Sequence, residues 1–249
     1  MDHNQFSAIG HSRQKFNNPM SEAKLVHTLS LLQLKPGARV LEIGAGQGEL
    51  ARRLVHMYDT AVDAVENSAY AIEEAHKRTS QQSPESRIHF IEEDAGTYLA
   101  TVENGTYDAA ICIASTHALE SMANTLSLFS KAVRPGGSIL IGDGYWKKKP
   151  DASYLGALGS EENELRHYDT TVLLGERYGL TPLWSTVASE DDWDRFEWNY
   201  SLSIEQYCQD HPDDPSVPEM RENIRNWRRT YLTWGRDTLG FGLFLYRNN

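Results

Sequence analysis

The sequence predicts an α/β fold organised around a doubly wound, mostly parallel sheet with helices on both faces. Three observations predict it: five short apolar runs between residues 40 and 141, helical patterns separating them, and a glycine-rich turn directly after the first run. Strict alternation of strand and helix makes neighbouring strands parallel, because the crossover helix carries the chain back to the edge from which it started. Near-continuous apolar strands are what a sheet buried on both faces requires.

The elements follow in order. After a polar start, Ser21 can cap a helix in which Leu25, Val26, Leu29 and Leu32 recur at helical spacing, ending before Pro36-Gly37. The strands are expected at Val40–Ile43, Val62–Val65, Ile88–Ile91, Ala109–Ile113 and Ile139–Ile141. Between them lie helical patterns, including Leu50, Leu54 and Val55 after the first strand and Met122, Leu126, Phe129 and Val133 before the fifth. Two more strands are expected at about Leu183–Ala188 and Leu239–Tyr246. A helix from about Pro218 to Gly235 is marked by Met220, Ile224, Trp227, Tyr231 and Trp234, which form one apolar stripe with Trp227 in the core.

Bulk properties narrow the function classes. The 249 residues carry a net charge of -11 and a mean hydropathy of -0.54. An acidic surface disfavours nucleic acid and anionic lipid, and no apolar run approaches the roughly 18 residues of a membrane span. The stretch from Met1 to Asn18 has no apolar centre and does not read as a secretory signal, so the cytoplasm is expected. Cys112 and Cys208 lie in unrelated contexts, so two free thiols and no metal are expected. Residues 151–249 hold 18 of the 35 acidic residues, no lysine and five of the six tryptophans, and so read as a different functional part.

The motif Val40-Leu-Glu-Ile-Gly-Ala-Gly-Gln-Gly-Glu-Leu50 sets Gly44, Gly46 and Gly48 at the mouth of a helix. Glycine permits the sharp turn and the close approach of a ligand to the backbone. Glu49 stands where a dinucleotide fingerprint would place its third glycine, and the carboxylate of Glu42 is unwelcome beside a pyrophosphate. A carboxylate there suits a ligand carrying an ammonium group. Glu42 could instead be a structural charge paired with Arg39 or Arg52, and Asp94, which follows Glu92 and Glu93, could belong to a solvated acidic run.

This segment resembles the first motif of the class I S-adenosylmethionine-dependent methyltransferases, E/D-x-G-x-G-x-G, and further landmarks follow in order: Glu66 ending the second strand, Asp94 after the third, Tyr107–Ile113 as the fourth strand, and Arg134-Pro-Gly-Gly137 as the turn that leads into the fifth. The resemblance covers roughly residues 36 to 145. It implies a Rossmann-like sheet of seven strands, the last antiparallel; between strands six and seven, where the family usually has a short turn, about fifty residues here are expected to form a helical insertion. It also implies that S-adenosylmethionine is bound by Glu42, Gly44, Ala45, Gly46, Gly48, Glu66, Asn67, Asp94, Ala95 and Ile113. Glu66 would hold the ribose hydroxyls, since one carboxylate can accept two hydrogen bonds from a vicinal diol. Asp94, with the Ala95 amide, would read the adenine.

On this basis the chain divides into an N-terminal cap (1–36), a methyltransferase core (37–190 and 237–249) and a helical lid insertion (191–236) expected to fold back over the strand ends. Phe16-Asn-Asn-Pro19 could close over the cofactor. His117, just beyond the fourth strand, is the candidate base, because an imidazole titrates near neutrality; it could equally only shape the pocket. Tyr145, Trp146, Trp193 and Trp234 are candidates to bind the methyl acceptor, a small molecule and plausibly a cationic amine, since ammonium is attracted by carboxylates and aromatic faces alike. The Asn/Asp-Pro-Pro-aromatic motif of some N-methylating enzymes is absent. A catalytically inactive cofactor-binding module and, less favoured, an NAD-dependent oxidoreductase remain as alternatives.

Overall fold

In the computed structural model, which describes residues 3–82 and 87–249, all seven expected strands are present. They are β1 (Arg39–Ile43), β2 (Ala61–Glu66), β3 (Ile88–Glu92), β4 (Tyr107–Ile113), β5 (Val133–Trp146), β6 (Leu180–Val187) and β7 (Leu239–Asn248). The order in the sheet is β3-β2-β1-β4-β5-β7-β6, with six strands parallel and the last antiparallel. Val40 of β1 pairs with Val62 on one side and Ala109 on the other, so the glycine turn leaves the sheet at its centre. The order reverses there, at the switch point where open α/β sheets bind ligands beyond the carboxyl ends of their strands.

The strands are central because their residues are. Val40, Leu41, Ile43, Ala109, Ala110, Ile111, Ile139, Leu140 and Ile141 are all fully buried, as a sheet covered on both faces demands. The helix α3 (Glu49–Tyr58) covers one face with Leu50, Ala51, Leu54 and Val55. It starts after Gly48 and stops at Asp59, whose left-handed backbone (φ 54°) returns its N–H to the Val55 carbonyl.

The chain separates into two compact units. One comprises Glu22–Gly144, Tyr168–Thr186 and Gly242–Asn249, and contains the greater part of the sheet. The other comprises Met1–Ser21, Tyr145–His167 and Val187–Phe241; Met1 and Asp2, the first residues of the expected cap, lie outside the described residues. Within this second unit, the helices α1 (His3–Gly10), α9 (Glu190–Asp210) and α10 (Val217–Thr230) share a core of Ile204, Cys208, Val217, Met220 and Ile224, onto which Phe6, Ile9, Tyr200 and Tyr207 pack. α9 is firmly begun: Ser189 accepts from the Asp192 amide and the Asp192 carboxylate accepts from the Ser189 amide, a reciprocal capping box.

Three expectations need correction. Arg134-Pro-Gly-Gly137 is not a turn ahead of the fifth strand but part of β5, which pairs Val133 with Tyr107 and then shifts register before Ser138 meets Ala109. The helix expected as one piece to Gly235 ends at Thr230 and continues as a π-turn, Tyr231–Gly235. Trp227 is not core: the residue is 40% exposed, with its indole N–H donated to Oε2 of Glu197 at 2.7 Å. The 4-3-4-3 spacing places Met220, Ile224 and Tyr231 inside, but one stripe position can lie at the margin of a helix face and keep only its polar edge buried. Cys112 and Cys208 are free thiols, as expected.

Candidate functional site

The carboxyl ends of β1 to β4, and β5 as far as Gly144, belong to the sheet-bearing unit, and they bring together most of the expected site. Gly44, Gly46 and Gly48 have φ of +73°, +52° and +72°, the left-handed region that only glycine enters without strain. Their reasons for being glycine differ. A Cβ on Gly44 would stand 2.3 Å from the Ser115 side chain, and one on Gly48 would stand 2.7 Å from the Phe90 ring. A Cβ on Gly46 would meet no protein atom within 4 Å, so its side faces open space that the loop keeps clear.

Hydrogen bonds fix the loop. The Gly44 and Ala45 amides both donate to the Val65 carbonyl, at 2.9 and 3.1 Å. Glu66, half-buried at the end of β2, accepts from the Gly46 amide through Oε2 (2.9 Å) and from the Ser68 amide through Oε1 (3.0 Å). Each carboxylate oxygen retains a second lone pair, so Glu66 can hold the loop and still accept from a diol. Asn67 beside it is exposed. Asp94 caps α5 (Ala95–Thr101): its Oδ1 accepts from the Thr97 amide (2.8 Å) and hydroxyl (3.1 Å), and these bonds hold its carboxyl below the usual range. Ala95 is buried, and Ile113 is half-buried at the end of β4.

Glu42 is the unusual member. It is buried to 4% exposure, its Oε2 has no hydrogen-bond partner, and burial pushes its carboxyl up to about 8 despite the opposing pull of Arg52 and the Ala51 amide. Arg52 is itself committed to Glu49 (2.6 Å) and the Gln47 carbonyl (2.8 Å), and Arg39 pairs with Asp63, so neither neutralises Glu42 by direct contact. An orphaned buried carboxylate beneath a glycine loop with open space at Gly46, flanked by the Glu66 acceptor, fits a ligand that carries positive charge and a ribose.

His117 is exposed on a short 3-10 helix, Thr116–Leu119. That segment is bracketed by two non-glycine residues in the left-handed region, Ala114 (φ +59°) and Glu120 (φ +68°). Such backbone is costly and persists only where the surroundings enforce it. The anchor is Asp143, absent from the sequence-derived set: its Oδ2 accepts from the Thr116 hydroxyl at 2.8 Å and its Oδ1 from the Gly144 amide at 2.7 Å. The one available signal was an acid between two glycines, Gly142-Asp143-Gly144, directly after an apolar strand. Ser115, against which Gly44 is fitted, carried no signal at all.

The four aromatic candidates all lie in the second unit. Tyr145 is buried, and a Cβ on Gly240 would stand 2.2 Å from its ring. Trp146 is buried with its indole N–H donated to the Glu162 carbonyl at 2.9 Å. Trp193 is buried with its indole N–H unpaired, and half-buried Trp234 stacks on Tyr154 with centroids 6.2 Å apart.

A family model described as a methyltransferase domain matches residues 40–137. The chain is 26% identical to the uncharacterized protein YjhP of Escherichia coli over 98% of both chains, and superposes on the crystal structure of that protein with a TM-score of 0.86. It is also 26% identical to a methyltransferase of Geobacter sulfurreducens, solved in complex with S-adenosyl-L-homocysteine, over 98% of both chains at a TM-score of 0.87. A 113-residue stretch is 27% identical to the 27-O-demethylrifamycin SV methyltransferase of Amycolatopsis mediterranei, covering 45% of this chain and 41% of that one.

Proposed function

We propose that the chain, which a methyltransferase-domain model matches over residues 40–137, is a class I S-adenosylmethionine-dependent methyltransferase and that it methylates a small molecule whose acceptor is a basic amine. The cofactor supplies an activated methyl group on a sulfonium, so the protein's own task is to orient the partners, exclude water and manage one proton. Glu66 takes the ribose hydroxyls while its two amide bonds hold the loop. Asp94 and the Ala95 amide take the adenine. Glu42 and the amides of the Gly44–Gly48 turn favour the cationic amino-acid end. His117, presented on the segment that Asp143 anchors, accepts the proton that a protonated amine must lose before its lone pair can react.

The observation that carries this reading is the glycine turn itself, with open space at Gly46, whose amide Glu66 accepts, and with the buried Glu42 at the end of the preceding strand. A small acceptor is supported by the relative named for a rifamycin substrate. The amine is supported by the excess of acids and aromatic rings, with no lysine, in residues 151–249. Tyr145, Trp146, Trp193 and Trp234 are assigned to acceptor binding in that unit. Among the described residues no helix is long and apolar enough to cross a membrane.

The test is titration calorimetry with S-adenosylhomocysteine on the native protein and Glu66→Gln, followed by methyl transfer from labelled S-adenosylmethionine to a panel of primary, secondary and tertiary amines and matched alcohols. Binding that weakens at least tenfold in the variant and transfer confined to amines are the expected results. Transfer only to alcohols would refute the amine, and binding without any transfer would favour a cofactor-sensing module.

A further inference from the structure

One buried carboxylate in the second unit has no countercharge. Glu197, on the inner face of α9, is 8% exposed. Its Oε2 accepts from the Trp227 indole at 2.7 Å, and its Oε1 has no hydrogen-bond partner among the described residues. No cation acts on it, so burial, opposed only by the indole bond, pushes the carboxyl up to about 7. Nearby cations are engaged elsewhere: Arg236 pairs with Asp194 and Glu190, and Arg228 bonds Ser201 and Glu205. His11, whose ring lies 4.9 Å from that of Tyr200, is held towards its neutral form by burial.

The surroundings of Glu197 are aromatic. Burial raises the phenols of Tyr154, Tyr200 and Tyr231, with the Glu197 charge adding to it; Tyr200 lies three residues from Glu197 on α9, and Tyr231 lies four residues beyond Trp227. The backbone is shaped to admit them. Gly235 closes the π-turn, and a Cβ there would stand 3.1 Å from the Tyr154 hydroxyl and 3.2 Å from the Tyr231 ring. A Cβ on Gly10 would stand 2.2 Å from the Tyr200 ring. The Tyr231 hydroxyl donates to Asp194 at 2.7 Å, which fixes that ring. π-turns inserted in α-helices cluster at functional positions because they misalign the helix to aim particular side chains. One turn before Glu197, on the same buried face, Trp193 offers an indole N–H with no acceptor.

A carboxylate without a countercharge, set among aromatic side chains, is complementary to an organic ammonium ion, which both attract. A buried donor without an acceptor asks the same ligand for an oxygen. We infer that Glu197, with the rings of Tyr154, Tyr200, Tyr231 and Trp227, is the recognition site for an alkylammonium compound that also carries a hydroxyl or carbonyl oxygen for Trp193. As the identity of the methyl acceptor, this rests on the amine reading given above; as a binding site, it stands separately.

The test uses the full chain and two probes of equal shape: choline, a cation with a hydroxyl, and 3,3-dimethylbutan-1-ol, its neutral isostere. Titration calorimetry at pH 8 should show choline binding at least tenfold more tightly than the isostere, and Glu197→Gln, which keeps an oxygen for Trp227, should abolish that preference. Equal binding of the two probes by the native protein, or an undiminished preference in the variant, overturns the inference. Should the variant melt early, the comparison of probes on the native protein still decides. Choline bound at this site with no amine methylated would sink the amine reading and leave the site. Amines methylated while choline fails to bind would do the reverse.

Discussion

Glu42→Gln should make the protein more stable while making it a poorer binder of its cofactor. The Glu42 carboxyl sits near 8 in the folded protein against an ordinary value of 4.5, so the folded state holds its proton where the unfolded chain has released it. Stability must therefore fall as pH rises from about 4.5 to about 8, and level off above. At 1.36 kcal/mol per unit the full shift corresponds to about 5 kcal/mol at pH 9, and side-chain relaxation and water entry reduce the recoverable part to ~2 kcal/mol. The amide resembles the protonated acid, so the variant's advantage should grow from near zero at pH 5 to ~2 kcal/mol at pH 9. For a chain of this size that is a rise of about 4–8 °C in the thermal midpoint. Melting curves of both proteins at pH 5, 7 and 9, with S-adenosylhomocysteine titrations at pH 8, read the two effects. A midpoint that falls in the variant, or a difference that does not change with pH, would show that Glu42 is compensated in a way its orphaned Oε2 does not reveal.

Gly46→Ala should cost only the left-handed backbone penalty, about 1 kcal/mol, yet weaken S-adenosylhomocysteine binding at least tenfold, since its Cβ meets no protein atom and enters the ligand's space. Gly44→Ala, driven into Ser115, should show the opposite emphasis, with a larger loss in the melting midpoint; equal behaviour of the two variants would contradict the division. His117→Asn should lower kcat by a factor of about 10²–10⁴ and remove the acidic limb of the pH-rate profile if it accepts the proton, since a base is lost when it is protonated, whereas a loss confined to KM would reduce it to a wall of the pocket. Asp143→Asn should loosen the Thr116 anchor and lower kcat without changing the S-adenosylhomocysteine dissociation constant, and unchanged kcat would remove Asp143 from the positioning role.

The sheet was legible because its signals are local. Five apolar runs and a three-glycine turn each state their conformation within a few residues, and parallel pairing follows from alternation alone. The place of Glu66 at the end of β2 was legible for the same reason, as an acid directly after an apolar run. Asp143 was not, because its meaning lies in the Thr116 hydroxyl 27 positions away, a pairing set by the register of β4 and β5. Trp227 misled because periodicity reports which face a residue occupies, while depth depends on the neighbour, here Glu197 thirty positions earlier. Glu197 carried no signal of its own, because its meaning depends on which side of α9 is turned inward, and that is set by packing against α10 rather than by its sequence neighbours.

The two buried carboxylates that folding leaves without a cation in direct contact belong to different units, and the cost each imposes argues for the same kind of ligand. A fold under selection for stability alone would replace Glu42 by an amide and Glu197 by an apolar side chain, since a buried charge that lacks its partner is worse than none. Neighbouring arginines show that cations were available: Arg52 reaches Glu49 rather than Glu42, and Arg236 reaches Asp194 rather than Glu197. In each case the basic side chain satisfies an acid beside the buried one. That pattern is expected if the missing charge arrives with the ligands, a sulfonium and an ammonium in one case and an amine in the other. It makes a shared prediction: a saturating cofactor homologue and a saturating amine should each raise the melting midpoint more at pH 8 than at pH 5, because only the ionised carboxylates gain from a cation. Stabilisation independent of pH would break the link between the orphaned acids and the ligands they are proposed to await.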